Sequence, residues 1–252
     1  MKIRRKAPKL SSSAPPLYVV GYRGAPPAPE ELAIWFDLEY GGPLNLRPVG
    51  EMAQPYPLLR AIHGPWEATI QLLLPAAEAD AWQESLAWGH TQAGQVLVTR
   101  TSPNKALDTV LHAARLARGM TLLTGGTAYD LRAQTYLNPS DWQDRPLTRF
   151  TAHDHIAVEQ ADADDPGLDR FHTKGLAKFG LDELEVFRPK GLSSRPILEQ
   201  LADIAGEILR LGQVPKVGAS LTLPMLGIVL SITKHRTLPS AEGPVAYREI
   251  IW

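Results

Sequence analysis

The sequence contains no cysteine among its 252 residues. This absence excludes disulfide scaffolds, thiolate zinc sites and cysteine nucleophiles, and it fits a reducing compartment. Long apolar runs are also missing, because the best candidate, residues 221–232, is interrupted by Pro224 and is shorter than the roughly 20 residues of a membrane span. These absences predict a soluble, cytoplasmic protein that has no membrane partner.

Sequence motifs of common enzyme classes are missing as well. The chain has no G-x-S-x-G elbow, no G-x-x-x-x-G-K-[ST] phosphate loop, no G-x-G-x-x-G turn after a strand and no H-E-x-x-H helix. Each of these motifs places a nucleophile, a phosphate-binding backbone or a pair of metal ligands in a defined geometry. We therefore assign no catalytic residue and no cofactor from the sequence.

The composition is that of a globular protein, with 44% apolar and 21% charged residues and a net charge of −1. The charge is unevenly distributed, since residues 1–16 carry +5 and the remaining chain carries −6. Residues 1–16 are rich in Ser and Pro and lack an apolar segment, which predicts a disordered basic tail. Nucleic-acid binding by this tail is a minor alternative, because its cations are not interleaved with aromatic residues.

Residues 17–101 predict a first lobe with the element order β-α-β-β-α-β. Residues 17–22 suit a strand, and a helix is expected between the proline cluster that ends at Pro29 and the Gly-Gly-Pro stop at residues 41–43. Residues 55–65 are rich in proline and read as a connection without regular structure. The order is that of the ferredoxin-like fold, in which helices cover an antiparallel sheet.

Residues 102–252 predict a second α+β lobe, again an antiparallel or mixed sheet covered by helices. A first helix is expected to end at Gly119, whose position suits a helix C-terminus. A second helix, residues 195–211, is the best-defined element, because its apolar residues recur at spacings of three and four. The fold class predicted for the chain is therefore α+β, with two fused lobes.

Histidines are the main candidates for chemistry. If residues 150–160 form a strand, His153 and His155 project from the same face, and His172 is available as a third metal ligand. Glu159 shares that face and is a candidate general base. A metal-assisted hydrolase or transferase is therefore one alternative, and exposed or hydrogen-bonded histidines without a metal are the other.

One block of the chain is more distinctive than a generic strand and turn. Residues 173–185 read T-K-G-L-A-K-F-G-L-D-E-L-E. They resemble the signature T-x-G-[LM]-x-x-F-G-x-x-[ED]-[LF]-E of a bacterial family of uncharacterised domains, numbered 4261. The resemblance implies an α+β, intracellular bacterial protein and brings no activity or catalytic residues. From the residues themselves, Gly175 and Gly180 suit bends, and the block is either a folding motif or part of a binding surface.

Since no catalytic motif is present, we expect a non-enzymatic binding or regulatory protein with a protein partner. The expected binding residues lie in the middle of the second lobe and are His153, His155, Glu159, His172, Thr173, Lys174 and Glu185. The expectation depends on residues 151–187 being extended and paired in a sheet, so that alternate side chains share a face.

Overall fold

The computed structural model describes residues 16–49, 57–97, 106–240 and 243–252. The chain divides into two compact units, residues 1–150 and residues 151–252. The division falls after residue 150 and not after residue 101 as expected. The predicted disorder of the basic tail lies outside the described residues, apart from Pro16, which begins the first strand.

Unit 1 contains seven strands and four helices among its described residues. The strands are β1 (Pro16–Tyr22), β2 (Asn45–Val49), β3 (Leu58–His63), β4 (Trp66–Gln71), β5 (Gln92–Leu97), β6 (Thr127–Asp130) and β7 (Thr135–Leu137). The helices are α1 (Pro29–Tyr40), α2 (Ala76–Leu86), α3 (Ala106–Thr124) and α4 (Pro139–Gln143).

The strands of unit 1 form one antiparallel sheet in the order β2-β3-β4-β5-β1-β6-β7. The ferredoxin-like order is not confirmed. An additional strand, β3, forms within the proline-rich stretch that we expected to be irregular. In addition, β5 lies between β4 and β1, and β6 and β7 extend the sheet beyond β1. This extension explains why the first unit continues past residue 101.

Helix α3 lies on the sheet, and α1 packs against α3. Gly119 lies inside α3 and does not end it, so the predicted helix end at this residue was wrong. A Cβ atom at Gly119 would lie 2.7 Å from the Trp35 ring and 2.8 Å from Leu32 of α1. The glycine therefore permits α1 and α3 to pack closely. In the sequence alone, a glycine required for such packing looks the same as a glycine that ends a helix.

An aromatic cluster fixes the inner face of α1. The buried Phe36 ring lies edge-on to the rings of His63 and His112, with centroid distances of 5.0 and 5.7 Å. His112 is 1% exposed, and its Nε2 atom lies 3.2 Å from the Ala61 carbonyl oxygen of β3. Since a carbonyl oxygen only accepts hydrogen bonds, Nε2 carries the proton in the neutral ring.

Unit 2 contains six strands, one α-helix and two short 3-10 helices among its described residues. The strands are β8 (Ala157–Asp162), β9 (Leu168–Lys174), β10 (Glu183–Pro189), β11 (Ser220–Leu223), β12 (Ile228–Leu238) and β13 (Val245–Ile251). The helix is α5 (Ser194–Leu211), and the 3-10 helices are Ala152–Asp154 and Leu176–Phe179.

The sheet of unit 2 is mixed and has the order β11-β12-β13-β10-β9-β8. Strands β10 and β13 are parallel, and the other neighbours are antiparallel. The apolar stripe of α5 packs over β8 and β9 and buries Leu201, Ile204 and Ile208. The α+β class with two sheets is therefore confirmed, and the helix predicted for residues 195–211 is present.

Candidate functional site

His153 and His155 do not lie on a strand. The backbone forms the 3-10 helix Ala152–Asp154, and β8 begins only at Ala157. His153 is exposed, whereas His155 is 1% exposed and its ring lies edge-on to Phe179 at a centroid distance of 6.4 Å. The expectation that the two histidines share a strand face was therefore wrong, because period-two alternation requires extended backbone.

Four charged or titratable side chains in neighbouring strands do share one face of the sheet. Glu159 of β8 is the direct cross-strand partner of His172 in β9, and His172 is the partner of Glu185 in β10. Lys174 lies two residues from His172 on the same face, and its Nζ is 2.6 Å from Glu159 Oε2. The ammonium group therefore neutralises the carboxylate that we had considered as a general base.

Glu185 is the centre of this face and is completely buried. Its carboxylate accepts a hydrogen bond from Arg170 Nε at 2.7 Å and two from Arg236 Nε and Nη2, each at 2.6 Å. The Arg170 guanidinium also stacks on Tyr247 at 4.5 Å. Two arginines therefore stabilise one buried carboxylate, which is the arrangement that a buried charge requires. We name Arg170, Glu185 and Arg236 the arginine clamp.

His172 is buried beside the arginine clamp, with 5% of its surface exposed. Its ring lies edge-on to Tyr247 at 5.9 Å, and its Nδ1 has no hydrogen-bond partner among the described residues. Burial, with smaller contributions from Arg170 and Lys174, lowers the pKa of His172 to about 4. The ring is therefore neutral at physiological pH, and its burial removes it from any surface that a macromolecule contacts.

Thr173 and Glu183 form a buried hydrogen-bonded pair within residues 173–185. The Thr173 hydroxyl donates to Glu183 Oε2 at 2.7 Å and accepts from the Leu184 backbone N–H at 2.8 Å. Glu183 Oε1 accepts from the backbone N–H groups of Gly175 and Ala177 at 2.8 and 3.0 Å. Each of these donors and acceptors has a hydrogen-bond partner within residues 173–185, so the block acts here as a folding motif.

The predicted site residues thus do not form an open site. The structure brings Glu159, His172, Lys174 and Glu185 together on one face, and it leaves His153, His155 and Thr173 elsewhere. Within the described ranges, no group of three or more His, Asp or Glu side chains is placed to hold a metal ion. No observation on these residues favours the metal-assisted alternative.

An exposed surface lies at the corner of unit 2 that is formed by the ends of β11, β12 and β13. Val229 and Ile251 share a sheet face, because Ser231 pairs with Ile251 and lies two residues after Val229. These two side chains are 57% and 49% exposed, and Met225 in the adjacent turn is 77% exposed. We name the strand β11 together with Met225, Val229 and Ile251 the β11 corner.

The β11 corner also has an edge strand that lacks two of the usual protections against pairing, charge and proline. Edge strands in native proteins commonly carry charges or proline, which discourage pairing with another chain. Among the edge strands of the two described sheets, β2 contains Arg47 and Pro48, β8 contains Glu159 and Asp162, and β7 has three residues. Strand β11 is also short, with four residues, but it reads Ser-Leu-Thr-Leu and contains neither charge nor proline.

Sequence reasoning missed both the arginine clamp and the β11 corner. Arg236 is 51 residues from Glu185, so no local pattern links them. The strands of the β11 corner were predicted, but their position at a sheet edge was not. The absence of charge in residues 220–223 is the one signal that could have indicated an unprotected edge.

The chain matches no protein-family model, no curated protein and no solved structure. The resemblance of residues 173–185 to a bacterial family therefore stays a prediction. No helix within the described ranges is long and apolar enough to cross a membrane.

Proposed function

We propose that this protein is a non-enzymatic binding protein that receives an extended segment of a partner protein alongside β11. The observation that carries this proposal is the coincidence of an unprotected edge strand with exposed apolar side chains on the same sheet corner. Addition of a strand to an exposed edge is a common mode of peptide recognition, in which backbone hydrogen bonds supply affinity and side chains supply specificity.

The backbone of β11 has donors and acceptors that face away from its own sheet. The Ile232 N–H donates to the Ala219 carbonyl oxygen at 3.1 Å, so this carbonyl group faces β12. Because consecutive residues of an antiparallel strand face opposite sides, the N–H and C=O groups of Ser220 and Thr222 face the open edge. These four groups are the ones that a partner strand would bond.

The side chains of the β11 corner favour a partner segment that is apolar on one face. Thr222 pairs with Val229, so a long apolar partner side chain can reach across Thr222 to Val229. Met225 in the adjoining turn is flexible and polarisable, and methionine adapts to varied apolar partners. Hydroxyl groups of Ser220 and Ser231, 3.2 Å apart, flank this apolar surface. No charge in β11 opposes the approach of either a basic or an acidic segment.

A proline substitution tests the strand-addition geometry. Thr222→Pro removes the outward N–H without removing a bond to β12, and proline is tolerated at edge positions of this kind. Thr222→Ala is the matched control, because it retains the N–H group. Heptapeptides selected from a random library on the full chain are expected to bind Thr222→Pro at least about tenfold more weakly than wild type and to bind Thr222→Ala normally.

Two further readouts locate the binding. Amide hydrogen exchange at Ser220 and Thr222 is expected to slow when a selected peptide binds, and Leu38→Glu in unit 1 is expected to leave affinity unchanged. Peptides that bind Thr222→Pro as tightly as wild type would contradict the proposal. A wild-type dimer that Thr222→Pro converts to monomer, measured by sedimentation, would show instead that a second copy of the chain occupies the edge.

The expectations about source, cellular location and regulatory role rest on the sequence alone. A bacterial, cytoplasmic protein with a regulatory role is consistent with the binding proposal, as is the implied family. Metal-assisted hydrolysis and nucleic-acid binding by residues 1–16 stay alternatives, and neither is favoured by a contact among the described residues.

A further inference from the structure

Helix α1 of unit 1 has an outer face that combines exposed apolar side chains with carboxylates. Ile34 is 63% exposed and Leu38 is 82% exposed. Glu30, Glu31 and Asp37 are exposed on the same side of the helix, since residues three, four, seven or eight apart lie on one helical face. We name these five residues the α1 outer face.

The fold does not explain the apolar residues of the α1 outer face. The core-facing side of α1 is complete, because Leu32 and Phe36 are fully buried and Phe36 packs on His63 and His112. Ile34 and Leu38 lie on the opposite side, where they contribute no area to that core. Single exposed apolar residues are common on protein surfaces, but Ile34 and Leu38 are four residues apart and therefore form one continuous apolar strip along the helix.

Helix stability explains only part of the charge of this face. Helix α1 contains no Lys or Arg. Glu30 and Glu31 lie near the helix N-terminus, where carboxylates are favourable, and Glu31 Oε2 accepts a hydrogen bond from the Ala28 N–H at 3.0 Å. Asp37, in contrast, lies in the last turn, where the helix dipole disfavours a carboxylate. Glu39 differs from these residues because its carboxylate is 2.7 Å from Arg118 Nη1. The α1 outer face therefore presents three carboxylates and no cation.

We propose that the α1 outer face binds a basic amphipathic helix of a partner protein. The apolar stripe of such a helix would cover Ile34 and Leu38, and its Lys or Arg residues would pair with Glu30, Glu31 and Asp37. Amphipathic helices dock through apolar anchors at spacings of three and four, and complementary charge selects the partner and speeds its association. This surface and its partner are independent of the β11 corner.

The charge pattern disfavours other occupants of the same face. A second copy of the chain that docked face to face would bring three carboxylates against three carboxylates, and like charges in apposition are costly. Nucleic acids and anionic lipid surfaces are repelled for the same reason. The chemistry that fits both the apolar pair and the carboxylates is a cationic segment with an apolar side.

A designed peptide probes this surface in the full-length chain. The probe is a Leu/Lys peptide of about 14 residues, with leucines at i, i+3, i+4 and i+7 along one helical face. Its affinity is measured by calorimetry for wild type, for Leu38→Glu and for the matched control Leu192→Glu, which alters an exposed leucine of unit 2 outside the β11 corner. Leu38→Glu is expected to weaken binding at least about tenfold, and Leu192→Glu is expected to leave it unchanged.

A second set of measurements uses charge-reversed variants of the protein and a peptide of scrambled sequence. The double variant Glu30→Lys and Asp37→Lys is expected to lose affinity for the Leu/Lys peptide and to gain affinity for a Leu/Glu peptide of the same pattern. A scrambled Leu/Lys peptide without a continuous leucine stripe is expected to bind at least about tenfold more weakly than the patterned one. Because these side chains are exposed, the variants are expected to retain the wild-type circular dichroism spectrum.

Several outcomes would overturn the proposal. Equal binding of the scrambled and patterned peptides would show that charge alone attracts the probe. A loss of affinity in Leu192→Glu as large as in Leu38→Glu would place the binding elsewhere. If the peptide binds only after residues 1–15 are deleted, the basic residues of the chain itself would be the occupant and not a separate partner.

Discussion

Acid is expected to destabilise unit 1 through His112, and the substitution His112→Gln isolates this effect. Burial is the main cause that lowers the pKa of His112 to about 4 from an ordinary value of 6.5, and the nearby His63 and Arg115 lower it further. A hydrogen bond to the Ala61 carbonyl opposes this shift without reversing it. Glutamine has an amide N–H that can replace the Nε2 donor, but it does not titrate.

The size of the effect follows from proton linkage. Because the folded pKa is lowered, the unfolded chain binds a proton at His112 more readily than the folded chain does. The contribution to stability is complete above pH 6.5 and is lost as the pH falls toward 4, at about 1.4 kcal/mol per pH unit. Between pH 7.5 and pH 5.0, wild type is therefore expected to lose about 2 kcal/mol through this residue.

Urea unfolding followed by tryptophan fluorescence measures this loss. Five of the six tryptophans precede residue 151, so the signal reports mainly on unit 1. The free energy of unfolding of His112→Gln is expected to fall by about 2 kcal/mol less than that of wild type over this pH range. An identical decrease in both proteins would refute the assignment of acid sensitivity to His112, whatever the stability of the variant at pH 7.5.

Two predictions concern unit 2. Glu185→Gln leaves Arg170 and Arg236 without their shared carboxylate, so the free energy of unfolding is expected to fall by about 3 kcal/mol or more. The control Glu249→Gln alters a partly exposed neighbour and is expected to lower this free energy by less than about 1 kcal/mol. Equal losses in the two variants would contradict the importance of the arginine clamp. Gly175→Ala places a Cβ atom 2.5 Å from the His155 carbonyl oxygen at a φ of +116°, whereas Gly180→Ala, at a φ of +75°, meets no atom within 4 Å. In thermal unfolding, Gly180→Ala is expected to lower the free energy of unfolding by about 1 kcal/mol, and Gly175→Ala is expected to lower it clearly more. The reverse order would show that the close approach at Gly175 is unimportant.

Elements with a complete local pattern were predictable from the sequence. The stripe that includes Leu201, Ile204 and Ile208, followed by Gly212, predicted a helix that is present as α5. Helix α1 begins at Pro29 and ends before Gly41, as the proline and glycine signals indicated. These signals act within one or two turns of the chain, so they do not depend on the rest of the fold.

Predictions failed where the local pattern was compatible with more than one structure. Gly119 indicated a helix end, but it lies within α3 because Leu32 and Trp35 of α1 pack against it. The stretch that contains His153 and His155 indicated a strand, but its backbone closes a 3-10 turn in which the His155 N–H donates to the Ala152 carbonyl at 3.0 Å. Composition and period alone do not distinguish these possibilities.

The sequence by itself determined the α+β class, the bounds of α1 and α5 and most of the late strands, because each of these depends on residues close together in the chain. The tertiary structure alone decided the order of the strands, and with it which strands became edges. It also decided that Glu185 is paired with Arg170 and Arg236, and that Ile34, Leu38 and Val229 stay exposed. Strand order and charge pairing depend on contacts between residues tens of positions apart, and exposure depends on whether any such contact covers a side chain.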